Sequence, residues 1–200
     1  MMGLIQLTLL LFLFIFAKRK ITPMVEISFS QAQALLKMEK VIVNGDDDLQ
    51  EFAIDLSFPI DISVDLLSSD GEYSFRWVIY QSAKDCLKIN LHFMEDDSKT
   101  GLLRIDISPW NVKHSNPIEI NDDVPSPLVP YAGKEIAGSH VHYCVKGYRQ
   151  LVWALPITES EMMIPSLEGH PSQEMVGEVL YAFASFINIK TKLILEPPIL

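Results

Sequence analysis

Between residues 51 and 108 apolar side chains recur at every second position, and this period decides the architecture. FAIDLS, IDISVDLL, YSFRWVIYQS, LKINLHFM and LLRIDIS each alternate apolar with polar residues, the pattern of a strand with one buried face. Turn-forming residues interrupt the runs at Phe58-Pro59, 68–71, 82–85 and 96–101. No helical pattern lies between them, so the runs are expected to pair as an antiparallel meander and not as βαβ units. His92, in LKINLHFM, alternates with Lys88 and Asn90 and is expected to be an exposed strand histidine.

Two helices frame these strands. Ser28 and Ser30 each head an S-x-x-Q capping pair, with Gln31 and Gln33. Phe29, Ala32, Leu35 and Leu36 then share one face, which predicts a helix near 30–40 ending before Val41, Ile42 and Val43. Near the C-terminus Ser172 can cap PSQEMVGEVLYAFASFINI, where Met175, Val176, Val179, Leu180, Phe183, Phe186 and Ile187 form one apolar stripe. Asp46, Asp47 and Asp48 lack the alternating oxygen ligands of a cation loop and read as a solvated loop. The expected fold class is α+β. An antiparallel sheet, made of the meander and a later hairpin, carries the N-terminal and C-terminal helices on one face. Residues 24–200 read as a single domain, and an apolar content of 48% suffices for its core.

The net charge is −10, and residues 1–23 contribute only Lys18, Arg19 and Lys20, so the remainder carries −10 − 3 = −13. With no basic stripe to offset it, such a surface repels phosphate backbones, and no nucleic-acid partner is expected. Solubility or a basic protein partner explains it. Two cysteines, Cys86 and Cys144, make no disulfide framework and suit a reducing compartment.

The stretch MMGLIQLTLLLFLFIFA is an apolar extension with three readings. Its charges follow the apolar run, and Phe16-Ala17 is a poor cleavage site, which argues against a secretory signal. As an anchor it is short of the roughly 20 residues a spanning helix needs, and KRK would hold the following domain in the cytoplasm. Alternatively, translation starts at Met24, because Lys-Arg-Lys can be encoded by a ribosome-binding-like AAA-AGG-AAG at a suitable spacing. A cytoplasmic domain is expected, facing a membrane only if residues 1–23 are translated.

Residues 109–137 hold five prolines and form a long connection of the kind that is functional or disordered. The hairpin GSHVHYCVKGYRQLVWALPI, residues 138–157, follows. By alternation His140, His142, Cys144 and Lys146 share one face, and Val141, Tyr143 and Val145 the other. The returning strand sets Leu151, Trp153, Leu155 and Ile157 with the apolar side. This leaves the histidines beside small Ala154, and Pro156 favours an edge position. Histidines at i and i+2 have Cβ atoms roughly 6.5–7 Å apart and can converge on one ion or substrate group. A catalytic zinc site needs a third ligand and an open position, and His114 in His114-Ser115-Asn116-Pro117 is the candidate. Glu119, Asp122 and Asp123 are candidate acceptors behind the ligands. The same trio can instead serve as metal-free acid and base, bind a ligand without catalysis, or simply be structural. Cys144 is a candidate nucleophile. Motifs for phosphate-binding glycine loops, H-E-x-x-H, C-x-x-C and G-x-S-x-G are absent.

The run H-S-N-P, G-S-H-V-H-Y, K-G-Y and W-A-L-P resembles a family of small bacterial and phage-associated proteins without an established activity. The resemblance spans roughly residues 28–190 and is specific over 114–157. Relatives often read Asn-Pro-Asp-Gly where this chain has Asn116-Pro117-Ile118-Glu119. It implies one site grouping His114, His140, His142, Tyr143 and Trp153, with Asn116 beside it. Two functions are carried forward. One is a small hydrolase-like or ligand-binding protein with His114, His140 and His142 as catalytic groups or ligands of a divalent transition metal such as zinc. The other is a non-catalytic acidic interaction protein, of antitoxin, immunity or inhibitor type, engaging a basic partner.

Overall fold

The computed structural model describes residues 25–86, 88–164 and 172–197. The N-terminal extension and Met24 lie outside these residues. Among the described residues no helix is long and apolar enough to cross a membrane.

The described residues are mostly antiparallel β-sheet with two α-helices. Helix α1 (Phe29–Lys37) opens with a complete capping box. Ser28 Oγ accepts from the Gln31 backbone N–H, and the Gln31 side chain accepts from the Ser28 N–H, satisfying two donors the first turn leaves open. Helix α2 (Gln173–Phe186) starts at Ser172, whose side chain accepts from the Met175 N–H. Strands β1 (Lys40–Asn44), β2 (Asp47–Asp48), β3 (Glu51–Asp55), β4 (Asp61–Ser68), β5 (Ser74–Gln81), β6 (Ile89–Glu95) and β7 (Thr100–Ile107) follow α1. Then come β8 (Lys113–Ser115), β9 (Glu135–Ala137), β10 (His140–Tyr143), β11 (Trp153–Pro156) and, after α2, β12 (Lys192–Glu196).

Eight strands form one sheet in the order β11-β10-β7-β6-β5-β4-β1-β2, with every neighbouring pair antiparallel. The meander β4 to β7 is present as its alternation predicts. Pro156 lies on β11, the edge strand, as its missing N–H requires. Register gives the sheet two different faces. Trp77, Phe93, Leu103, Tyr143 and Trp153 are successive cross-strand partners on the buried face. There Phe183 of α2 stacks on Trp77 with ring centroids 5.6 Å apart, and Phe29 of α1 lies 6.0 Å from Tyr143.

Four expectations are corrected. Asp47 and Asp48 are not a loop but the second strand of a tight hairpin on β1, turning at Gly45 with φ +63°. β3 leaves the meander and pairs in parallel with β12, a strand the alternation did not suggest. The proline-rich segment contains β8 and β9, which form a two-stranded ribbon with His114 opposite Ile136. His92 is half-buried rather than exposed, and its Nε2 is buried without a hydrogen-bond partner among the described residues.

The ends of both helices meet at Lys40. Its fully buried Nζ donates to the carbonyls of Leu36 (3.0 Å), Met38 (2.6 Å) and Ile187 (3.0 Å) and sits 4.9 Å from the Phe75 ring centroid. A cation there complements two helix C-termini at once and satisfies carbonyls the helices leave open. Burial pushes its pKa down to about 7.

Candidate functional site: a three-histidine cluster on the outer sheet face

The other face of the sheet carries a polar ladder where β6, β7, β10 and β11 meet. Across these strands Ala154, His142, Arg104 and His92 are successive partners, and one step along Pro156, His140, Asp106 and Asn90 are. The alternation of β10 therefore sends His140 and His142 toward residues of β7 and not toward the apolar core. Both are enclosed, at 3% and 0% exposure.

β8 brings the third histidine. His114 of β8 and Asn116 just after it clasp residues 152 and 154 of the edge strand and its approach, an i, i+2 match on each side. His114 Nε2 lies 2.8 Å from the Val152 carbonyl. Asn116 Oδ1 accepts from the Ala154 N–H at 2.8 Å, while its Nδ2 donates to the Ala154 carbonyl at 2.7 Å and to Tyr131 O at 3.1 Å. A single buried amide thus replaces a neighbouring strand for Ala154 and protects an otherwise open edge. The clasp seats the His114 ring 4.6 Å from His142 and 5.4 Å from His140, and the latter two rings are 4.7 Å apart. One possible ligand atom from each of the three histidines lies within 4.8 Å of those of the other two.

Each ring has one nitrogen tied to an oxygen. His114 Nε2 has Val152 O, His140 Nδ1 has Gly138 O at 2.6 Å, and His142 Nε2 has Asp106 Oδ2 at 3.0 Å. With these nitrogens protonated, the lone pairs fall on His114 Nδ1, His140 Nε2 and His142 Nδ1, and Arg104 Nη2, 2.8 Å from His142 Nε2, then meets an N–H there rather than an acceptor. The His142 Nδ1 atom is buried with no partner among the described residues. The other tautomer of His142 would bury an N–H there with no acceptor, which is costly.

Asp106 organises the cluster. Its Oδ1 accepts from Asn90 Nδ2 at 2.6 Å. Its Oδ2 accepts from Arg104 Nη2 at 2.9 Å and lies 3.5 Å from His140 Nε2. Burial alone would raise its pKa. The two histidines and Arg104 outweigh that, holding the carboxyl well below the usual carboxylate range. Burial pushes His142 down to about 4, against the opposing hydrogen bond from Asp106, and the Arg104 charge pushes the same way as burial. His114 is lowered chiefly by burial. His92 is lowered to about 4 by burial and by Arg104. At neutral pH these three imidazoles are uncharged.

Of the residues expected at the site, His114, His140 and His142 come together, and Asn116 serves by fixing the segment that carries His114. Tyr143 and Trp153 lie on the opposite face of the sheet. Tyr143 lines a cavity of about 280 Å³ with Phe29, Leu155 and Phe186, and Trp153 is fully buried. Cys144 is buried and its thiol is pushed up to about 12, so it stays protonated and is a poor nucleophile. Glu119 and Asp122 are exposed, Asp123 is half-buried, and the acceptor role foreseen for them belongs to Asp106 and the two carbonyls. Asp106 and Arg104 were missed. Their signal was the polar pair at i, i+2 in LLRIDIS, informative only once β7 is known to adjoin β10.

No curated protein and no solved structure matches the chain. Residues 27–189 match the family of unknown function DUF6978, and the chain belongs to that family.

Proposed function

We propose that this protein binds a divalent transition-metal ion, best zinc, on His114, His140 and His142, and uses it for hydrolytic chemistry. The observation that carries the reading is the pairing of each imidazole. One nitrogen bonds a carbonyl or carboxylate oxygen, the other is left with a lone pair, and the three rings are packed together. This is how metal-binding histidines are normally oriented and made basic. Three neutral nitrogen donors without thiolate suit zinc, and three protein ligands leave a fourth position for water or substrate. A tetrahedral ion with bonds of 2.0–2.1 Å would need ligand atoms ~3.4 Å apart, so the cluster would tighten modestly on binding. Such an ion polarises carbonyl or phosphoryl oxygens and lowers the pKa of water.

Metal-free acid–base catalysis fits less well. His142 is fully enclosed and its pKa lies near 4, which leaves it neither in reach of a substrate nor poised for proton transfer near neutrality. The test is the zinc content of untagged wild-type protein and of the His140→Ala, His142→Ala double variant. About one zinc per wild-type chain, lost in the variant, supports the reading. Wild-type protein that refuses zinc while remaining folded contradicts it.

A further inference from the structure

Behind the histidine cluster, on the other face of β10, lies a cavity that the metal reading does not use. It measures about 280 Å³ and is walled by Phe29 of α1, Phe186 of α2, Leu155 of β11 and Leu128 of the proline-rich segment. Tyr143 is a polar group set among these apolar walls. It is 8% exposed, and its ring lies 6.0 Å from that of Phe29. A buried phenol ordinarily finds a hydrogen-bond partner. Among the described residues the Tyr143 hydroxyl has none. Burial, and then the charge of Glu161, push its pKa up to about 12. A neutral, unpaired hydroxyl therefore lines an apolar cavity with a carboxylate at hand.

The charges of the lining choose between ligands. Glu159 and Glu161 follow β11 and are exposed, and Lys37 is the one basic residue there. Two carboxylates thus oppose one ammonium, on a chain of net charge −10. Glu159 is engaged by the Tyr131 hydroxyl, whereas Glu161 acts on Tyr143. The rings of Phe29, Tyr143 and Phe186 add faces that attract a cation. An anion would meet the two acids. A wholly apolar molecule would leave the buried hydroxyl unpaired, which is costly. We propose that this cavity binds a small organic cation, an apolar group carrying one ammonium. Its apolar part lies between Phe29, Leu155 and Phe186, and its N–H groups reach the Tyr143 oxygen and the Glu161 carboxylate. The volume suits one ring with a short chain, at the small end of ligand pockets. Tyr143 is on the opposite sheet face to His140 and His142, and the inference does not rest on the metal reading.

The test titrates the full chain with 2-phenylethylammonium, 2-phenylethanol and 3-phenylpropionate at neutral pH and constant ionic strength, read by calorimetry and by backbone amide NMR shifts. The ammonium compound should bind saturably and shift the amides of Phe29, Tyr143 and Phe186. It should bind about fivefold tighter, or more, than the alcohol or the carboxylate. Tyr143→Phe should weaken it about fivefold without lowering the urea midpoint, since the hydroxyl holds nothing in the free protein. Glu161→Gln, at an exposed position, should bring the ammonium compound close to the alcohol. Lys37→Gln should tighten the ammonium compound and weaken the carboxylate. A wild type that binds none of the three at millimolar concentration, or all three alike, overturns the proposal. So does a wild type that prefers the carboxylate, or Tyr143→Phe and Glu161→Gln variants that bind the ammonium compound as wild type does. None of these results bears on the zinc content that tests the histidine centre.

Discussion

Asp106 Oδ2 lies 3.0 Å from His142 Nε2, joining a residue of β7 to one of β10 across 36 positions of sequence. A proton on His142 Nε2 in this bond leaves Nδ1 free for an ion, whereas a hydrogen bond accepted from Arg104 Nη2, 2.8 Å from the same Nε2, would reverse the two nitrogens. Replacing Asp106 by Asn removes the charge but keeps a similar shape. Zinc affinity is expected to fall about 10- to 100-fold, read by competition with a chromophoric chelator. Unchanged affinity would show that Asp106 serves packing alone.

Asn116 acts one step further out. Asn116→Ala removes both bonds to Ala154 and leaves a buried N–H without an acceptor. A loss of about 2–4 kcal/mol in urea unfolding is expected, with weaker zinc binding because His114 loses its anchor. Asn116→Asp restores the acceptor for the Ala154 N–H but sets a carboxylate against the Ala154 carbonyl, and should recover little.

Lys40 tests the frame independently of the site. Lys40→Met keeps the length of the side chain but leaves the carbonyls of Leu36, Met38 and Ile187 without their donor. Unfolding free energy should drop by about 3 kcal/mol. Zinc stoichiometry in the folded fraction should not change.

In the metal-free protein, acid should destabilise the fold before any carboxylate is protonated. The His142 pKa is depressed from 6.5 to about 4, so between these values the unfolded chain binds more protons than the native one. Stability is then complete above pH 6.5 and declines as pH falls toward 4, by about 3 kcal/mol for this residue. His92 adds in the same direction. Urea midpoints of wild type and His142→Gln, taken from pH 8 to 4, should converge as the wild type loses this contribution. Parallel curves would show that His142 is not held neutral.

Local features were legible in the sequence, and distant pairings were not. Alternation placed β4 to β7, the capping pair at Ser28, and His140 and His142 on one face beside Ala154, because each depends only on neighbours a few residues away. Pro156 marked the edge strand for the same reason. His114 was chosen by residue type alone. Nothing local indicates that it meets Val152, 38 residues later. The acceptors behind the histidines were sought among nearby acids at 119, 122 and 123. Two of the actual acceptors are backbone carbonyls, which leave no mark in a sequence, and the third lies on β7. Strands β8 and β9 are three residues long, too short to show a period. His92 looked exposed because its row neighbours are polar. Yet a Cβ on Gly101 would come within 3.0 Å of His92 Nε2 and 2.8 Å of Leu151 Cδ1, which shows how closely the chain packs over that ring.

The most direct measurement of the central claim is X-ray absorption at the zinc edge on the zinc-loaded, untagged chain. Three imidazole nitrogens at about 2.0–2.1 Å with one further light ligand are expected. A sulfur shell near 2.3 Å, or fewer than three imidazoles, would contradict the centre described for His114, His140 and His142.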